Sequence, residues 1–97
     1  MQNQVRLAGT VVAREALRHT PAGVPVLTFT VKHESTQVES GVPRQIGLEI
    51  DAMAMGDVAQ RMSAVQAGQT VRLAGFLASR SRLSTRVVLH VNQFEID

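Results

Sequence analysis

The chain has 97 residues, a hydrophobic fraction of 44%, no cysteine and a formal net charge of +2. This length predicts one domain over residues 1–97, and the composition excludes a disordered chain and a fold held by disulfides. No apolar run approaches the ~18 residues that a membrane span needs, so we expect no membrane association. The first residues, Met1–Val5, lack the charged and apolar regions of a signal peptide, and we expect a cytoplasmic protein.

The charges are segregated along the chain although the net charge is small. Residues 1–32 carry a balance of +3, residues 33–60 a balance of −4, and residues 61–86 hold five arginines and no acidic residue. Such segregation can build a basic stripe on a nearly neutral protein, and a basic stripe suits an anionic partner. The alternative is an ordinary solvated surface in which arginine takes the place of lysine.

Alternating apolar and polar residues predict five strands. They span residues 5–17, 24–33, 44–51, 69–79 and 85–95. A turn at residues 20–23 joins the first two strands, because its proline and glycine favour turn conformations, and a polar loop at residues 34–41 joins the next two. The side chains expected to face the core are Leu27, Phe29, Val31, Ile46, Leu48, Ile50, Val71, Leu73, Leu77, Val87, Leu89 and Val91.

A helical period interrupts the strands after residue 56. Val58, Met62 and Val65 recur at i, i+4 and i+7, which predicts a short helix. Asp57 is the expected N-cap of this helix, and Gly68 is the expected C-terminal stop.

The order of these elements predicts the fold. The segment Arg6–Gly9 recurs as Arg72–Gly75, so a glycine lies in the middle of the first and fourth strands, where it indicates a bend or bulge in a small barrel. Three strands, a helix and two strands predict an all-β protein: a five-stranded OB-fold barrel with one short helix between strands three and four. Met53, Met55 and Met62 are expected to fill the gap between helix and barrel.

Several segments, in register over nearly the whole chain, resemble the primosomal replication protein N (PriB) family. They are Leu7–Val11, Thr20–Pro25, Phe29, His33–Ser35, Arg44–Gln45, Gly75–Phe76 and Val88–His90. The resemblance implies an OB fold related to bacterial single-strand DNA-binding protein. It also implies a non-catalytic homodimer without cofactors that binds single-stranded DNA and assists helicase loading with PriA and DnaT when a replication fork is rebuilt.

Seven basic residues are candidates for binding single-stranded DNA: Arg14, Arg18, Lys32, Arg44, Arg80, Arg82 and Arg86. The segment 79–86 is the strongest candidate, because its arginines and hydroxyls supply the charge and the donors that phosphates accept. The resemblance implies a DNA contact for Arg18, and the loop geometry of an OB fold brings Arg14 to the same side. Lys32 and Arg44, at strand ends, are further candidates for following the DNA backbone.

Two positions depart from the family pattern. Glu34 stands where a relative has a basic residue, and Gly47 stands where it has a tryptophan that stacks on bases. Base stacking contributes ~1–3 kcal/mol per base in such proteins. The loss of that tryptophan therefore predicts weaker binding with a larger electrostatic share.

The remaining charged and titratable residues are assigned no nucleic-acid or catalytic site. His19, His33 and His90 share no ligand spacing and lie in no hydrolase or metal motif, so neither a metal centre nor catalysis is expected. Arg6 and Arg72 point outward from neighbouring strands and are expected to serve solvation or a dimer contact.

Two other functions stay open. One is a divergent general single-strand binding protein, although such proteins usually carry a disordered acidic C-terminal tail that we do not expect after the fifth predicted strand. The other is an OB-fold adapter for protein partners with weak affinity for nucleic acid, which Gly47 and the small net charge favour.

Overall fold

The chain folds into a closed β-barrel with one short helix, and the computed structural model describes all its residues, Met1–Asp97. Its elements are β1 (Val5–Arg14), β2 (Arg18–His19), β3 (Pro25–Glu39), β4 (Val42–Met55), α1 (Asp57–Met62), β5 (Thr70–Ser79) and β6 (Val87–Ile96). The sheet order is β1-β5-β6-β4-β3-β2, and a further pairing of β1 with β3 closes the barrel. Five strands form the barrel, as predicted for an OB fold, and β2 is an additional short strand. The one helix, α1, has six residues and is too short to span a lipid bilayer.

Closure depends on β1, which pairs with two strands. Its first half, residues 5–10, runs antiparallel to β5, and residues 10–14 run antiparallel to β3. The opposite seam is the only parallel pairing, between residues 51–53 of β4 and residues 88–90 of β6. The barrel is therefore closed by β1 on one side and by the short parallel pairing of β4 with β6 on the other.

The core follows the predicted alternation. Leu27, Phe29 and Val31 on β3 are buried, and Met62 of α1 together with Val65 closes one end of the barrel. The buried cluster is Val11, Leu27, Phe29, Val31, Ala52, Ala54, Ala59, Met62, Val65, Val71, Leu73, Leu89 and Val91. Burial of these apolar side chains supplies the main favourable free energy of folding.

The β3–β4 hairpin is longer than predicted, and the expectation of a loop at residues 34–41 is wrong. Strand β3 continues to Glu39, the chain turns at Ser40 and Gly41, and β4 returns from Val42. Residues 34–39 pair only with β4, so cross-strand backbone hydrogen bonds are enough to hold these polar residues in a ribbon. Leu48, expected in the core, is 41% exposed, because this part of β4 has left the barrel.

The first predicted strand is also corrected. It ends at Arg14, not near Leu17, and β2 forms where Arg18 pairs with Val26 and His19 with Pro25. The ladder is broken by a register shift between Val11 and Ala13, after which the chain follows β3 less regularly. The turn at residues 20–23 is confirmed by a 2.8 Å hydrogen bond from the backbone N–H of residue 23 to the carbonyl of residue 20.

The helix has different ends from those predicted. Gly56, with φ of 69°, is the N-cap, and Asp57 lies in the first turn, where its charge suits the helix dipole without a capping hydrogen bond. The helix ends at Met62, so Gly68, with φ of 96°, belongs to the turn before β5. Glycine suits this position because it adopts a positive φ without steric cost.

Two of the three methionines lie away from the gap between helix and barrel. Met62 fills it and is fully buried, whereas Met53 lies on the outer face of β4 and Met55 is 46% exposed. The cause is the extension of β4, which keeps both residues in the sheet. Val87, expected in the core, is exposed at the start of β6, where Val88 and Leu89 are buried instead.

The two mid-strand glycines have different roles. Gly75 lies at a register shift between β5 and β6, in agreement with the irregularity predicted at this glycine. Gly9 lies in a regular ladder with β5, and a Cβ atom there would come within 2.5 Å of the carbonyl oxygen of Lys32. Gly9 therefore permits the close approach of β1 and β3 that closes the barrel.

We expect Gly75→Ala to destabilise the fold by more than ~2 kcal/mol, because the added Cβ would overlap the backbone carbonyl of His90. Thermal unfolding should show a fall in Tm of at least about 8 °C. Gly47→Ala is the matched control, since nothing lies within 4 Å of that Cβ position and its φ is not positive. Equal Tm values for the two variants would contradict the account of Gly75.

Candidate nucleic-acid interface

A row of side chains crosses the outer face of the barrel on four strands. Thr28 pairs with Met53, Met53 with His90, and His90 with Phe76, so these side chains share one face. They alternate with the core residues of the same strands and point away from the barrel interior. The row forms an apolar and aromatic strip across β3, β4, β6 and β5.

Phe76 and His90 form the aromatic part of this strip. Their rings are stacked, with centroids 5.0 Å apart and an angle of 10° between the planes, and Phe76 is 41% exposed. The register shift before Gly75 leaves Asn92 of β6 unpaired and so places His90 opposite Phe76. Sequence reasoning missed this pair, although His90 has the opposite parity to Leu89 and Val91, which were predicted to face the core.

A groove runs beside the strip along a second row of paired residues. Thr30 pairs with Asp51, and Asp51 with Val88, on the same outer face. The groove is lined by Ala13, Arg14, Glu15, Arg18, Thr28, Phe29, Thr30, Asp51, Met53, Ser79, Arg80, Val88 and His90. Three of the predicted arginines, one from each of three segments, thus meet at one surface.

The loop between β5 and β6 forms one wall of the groove. A hydrogen bond of 2.9 Å from the backbone N–H of Arg80 to the carbonyl of Arg86 closes the loop. The guanidinium groups of both residues lie 3.4 Å from the carboxylate of Asp51. Arg82 makes no hydrogen bond or ion pair, and Leu83 at the tip is 99% exposed. The loop therefore presents three arginines, two of them ordered by one carboxylate.

The guanidinium of Arg14 donates hydrogen bonds to backbone carbonyls, although the residue lines the groove. Its Nη1 donates hydrogen bonds of 2.7 Å to the carbonyl of Ser63 and 2.8 Å to that of Val65. Its Nε donates to the carbonyl of Glu15 at 3.2 Å. The half-buried guanidinium thereby ties the end of β1 to the segment after α1, so its first role is structural.

The other predicted residues divide between the two faces of the sheet. Arg18 is exposed on β2 at the edge of the groove and has no ion-pair partner. Lys32 lies on the same face of β3 as Thr28 and pairs with Glu34 at 3.4 Å. Arg44 lies on the opposite face of β4, the same face as Ile46. Its Nη1 contacts the carboxylate of Glu39 at 3.0 Å. Arg44 therefore lies on the face opposite to the groove, because β4 alternates regularly from residue 42 to residue 55.

Gly47 lies on the groove side of the hairpin. It pairs with Glu34 and has the same parity along β4 as Asp51 and Met53. The backbone there is regular strand and the space above it is open. Residue 47 therefore faces outward, and the surface there lacks any ring.

Arg6 and Arg72 lie on neighbouring strands, β1 and β5, away from the groove. Arg72 forms ion pairs with Glu95 at 2.7 Å and Asp97 at 2.9 Å. Together with Arg61, they line a separate cavity between β1, β5 and β6. Arg72 is therefore balanced by two acidic residues, Arg61 lies over the ring of Phe94, and none of the three arginines lines the groove.

The groove face combines two binding chemistries. Aromatic rings bind unpaired bases by stacking, and guanidinium groups donate charge-assisted hydrogen bonds to phosphate oxygens. Both come from one continuous surface formed by β3, β4, β6, β5 and the loop after β5. A base inside a duplex has no free face for such a platform, so the arrangement suits single strands.

Comparisons with known proteins agree with this chemistry. Residues 3–93 match a protein family described as another single-strand binding protein family. Over 95 residues the chain is 37% identical to the replication restart protein PriB of Nitrosomonas europaea, covering 98% of this chain and 88% of that protein. A solved structure of PriB from Ralstonia solanacearum is 30% identical, with a TM-score of 0.88, and the match covers 99% of this chain and 98% of that one.

The fold is shared more widely. The wild-type single-stranded DNA binding protein of Thermus aquaticus matches with a TM-score of 0.79 at 23% identity, over 99% of this chain and 50% of that one. At this identity the match concerns the fold alone. The relatives with higher identity carry the assignment: the chain belongs to the PriB family of single-strand binding proteins, as its resemblance predicted.

Proposed function

We propose that this protein binds single-stranded DNA on its groove face, as a non-catalytic accessory protein of replication restart in the cytoplasm. The observation that carries the proposal is the stacked pair of Phe76 and His90 beside a loop with three arginines. Membership of the PriB family supports replication restart as the process.

The strand would follow the groove between its two basic walls. Arg18 on one side and Arg80, Arg82 and Arg86 on the other contact phosphates, while bases stack on Phe76. Lys32 extends this path along β3 when its ion pair with Glu34 breaks. Because the pair is exposed to water, it contributes little to stability. Arg14 supports the wall by holding the end of β1 in place and adds positive charge to it.

Protein partners form the second part of the proposal. Residues 5–7 of β1 pair only with β5, so the other edge of this segment offers free backbone groups to a second copy of the chain. We therefore propose a homodimer that assists helicase loading with PriA and DnaT, as the family resemblance implies. A single OB-fold domain over residues 1–97 is the unit of this assembly.

An adapter for protein partners is the second candidate function. The end of the long hairpin exposes Val38, Val42 and Pro43, and Val38 is 72% exposed. Exposed apolar side chains on both faces of a projecting ribbon suit a protein partner better than a polyanion. Under this alternative, affinity for oligonucleotides would be weak and insensitive to changes in the groove.

Binding to oligo-dT should be strong relative to duplex of equal length and should fall steeply with salt. Four groove arginines that each neutralise one phosphate give a slope of log K against log salt of about −3, from roughly 0.7 per contact. Fluorescence anisotropy at several salt concentrations measures both quantities. Equal affinity for duplex, or binding indifferent to salt, would overturn the proposal.

Replacing Arg80, Arg82 and Arg86 together with Ala should lower the affinity for oligo-dT at least about tenfold and flatten the salt slope by about 2. The Tm should change little, because exposed loop residues contribute within ~0.5 kcal/mol each to stability. The matched control removes the same charge from Arg6, Arg61 and Arg72, which line the separate cavity. Gel filtration checks that both variants keep the wild-type oligomeric state. Equal losses in the two variants would mean that net charge, and not the loop, drives binding.

Gly47→Trp should raise the affinity for oligo-dT by ~1–3 kcal/mol, because a ring there extends the aromatic strip along the hairpin. The gain should be clearest at high salt, where the phosphate interactions are screened. The open space and ordinary φ at residue 47 predict an unchanged or higher Tm. Gly47→Leu is the control for a large apolar side chain without a ring. A folded Gly47→Trp protein that binds no better than Gly47→Leu would show that this part of β4 does not touch bases.

A further inference from the structure

The carboxylate of Asp51 lies beneath the arginine loop, inside the groove. Its Oδ2 is 3.4 Å from Nη1 of Arg80 and 3.4 Å from Nη2 of Arg86, and its Oδ1 accepts a 3.5 Å hydrogen bond from the hydroxyl of Thr30. One acidic side chain thus contacts two of the arginines that the proposed function assigns to phosphates. The other acidic residue that lines the groove, Glu15, pairs with neither arginine.

We propose that Asp51 occupies a phosphate subsite and is displaced from its arginines by a phosphodiester of the bound strand. This inference rests on the proposed function, since the competing ligand is the backbone of single-stranded nucleic acid. In the free protein the carboxylate holds the loop against the groove. In the complex, Arg80 and Arg86 exchange the carboxylate for a phosphate.

The chemistry of the subsite supports the exchange. Carboxylates and phosphodiesters each offer two charged oxygen atoms to the same guanidinium N–H donors, so one can replace the other. The two N···O distances to Asp51 are long for charge-assisted hydrogen bonds, and one oxygen atom serves both arginines. The contacts that must be broken are therefore weak ones.

The accessibility of the groups also supports it. The Asp51 side chain is 30% exposed, and those of Arg80 and Arg86 are 55% and 70% exposed, so a phosphate can reach all three from solvent. Asp51 stays in the groove after the exchange because the ladder of β4 fixes its backbone. Its charge then repels the bound phosphate, which weakens binding and sets the affinity below the value the arginines alone would give.

The test compares Asp51→Asn with Glu49→Gln. Both remove one negative charge from the same face of β4, but Glu49 pairs in register with Lys32 and contacts neither loop arginine. We expect Asp51→Asn to bind oligo-dT about three- to tenfold more tightly than wild type at low salt, with a smaller gain at high salt. Glu49→Gln should bind within about twofold of wild type, because its charge is farther from the subsite and screened by solvent.

A second measurement needs no DNA. Amide hydrogen exchange in the free Asp51→Asn protein should be faster than in wild type at Arg80, Ser84 and Arg86, whose backbone N–H groups donate the hydrogen bonds that shape the loop. Exchange in the barrel core should not change. Unchanged exchange in the loop would overturn the role of Asp51 in holding it.

The outcomes separate this inference from the proposed function. If wild type binds oligo-dT and Asp51→Asn binds no better, the exchange of ligands is wrong and Asp51 is an anchor that positions the arginines. Equal gains in affinity from Asp51→Asn and Glu49→Gln would mean that net charge alone causes the effect. This result would also overturn the proposed subsite. If wild type itself fails to bind oligo-dT, the proposed function fails together with the inference that rests on it.

Discussion

Strand β1 pairs with β5 through its first half and with β3 through its second, and the barrel closes only because β1 can turn between them. The turn needs Gly9, where β1 comes too close to the backbone of Lys32 for any side chain. Closure brings the end of β1 and the loop after β5 to opposite sides of the same groove. The candidate interface therefore depends on a steric constraint on the far side of the barrel wall, and not on any contact within the groove itself.

The arginines of this protein differ in function although they are chemically identical. Arg14 satisfies backbone carbonyls, Arg72 balances two acidic side chains, and the loop arginines share a single carboxylate. What separates them is the number of acceptors that the fold supplies to each. A guanidinium with most of its five donors unused stays available for phosphate, and this holds best for Arg18 and Arg82, which have no ion-pair partner in the protein.

Much of the fold could be predicted from the sequence, because local alternation of apolar residues reflects burial directly. It identified the cores of β3, β5 and β6 and the element order of an OB fold. It failed at residues 34–41, since a two-stranded ribbon in solvent needs no apolar pattern. The site was predicted as a set of arginines, but the bond from Arg14 to the carbonyl of Ser63 joins residues 49 positions apart. The stack of Phe76 on His90 likewise depends on strand register, which no local pattern encodes.

The long β3–β4 hairpin begins inside the barrel and ends in solvent. Near Val31 its strands are covered by the core, whereas beyond Glu34 each strand has only the other as a neighbour. His33 marks the boundary, with its ring joining the carbonyl of Ala8 to the hydroxyl of Ser35. The free energy of local opening must therefore decrease from the full unfolding value at the barrel to nearly zero at the turn. A ligand that bends or twists the outer part of the ribbon would do so without loosening the core. The end of the ribbon can therefore change position when a partner binds, while the groove stays rigid.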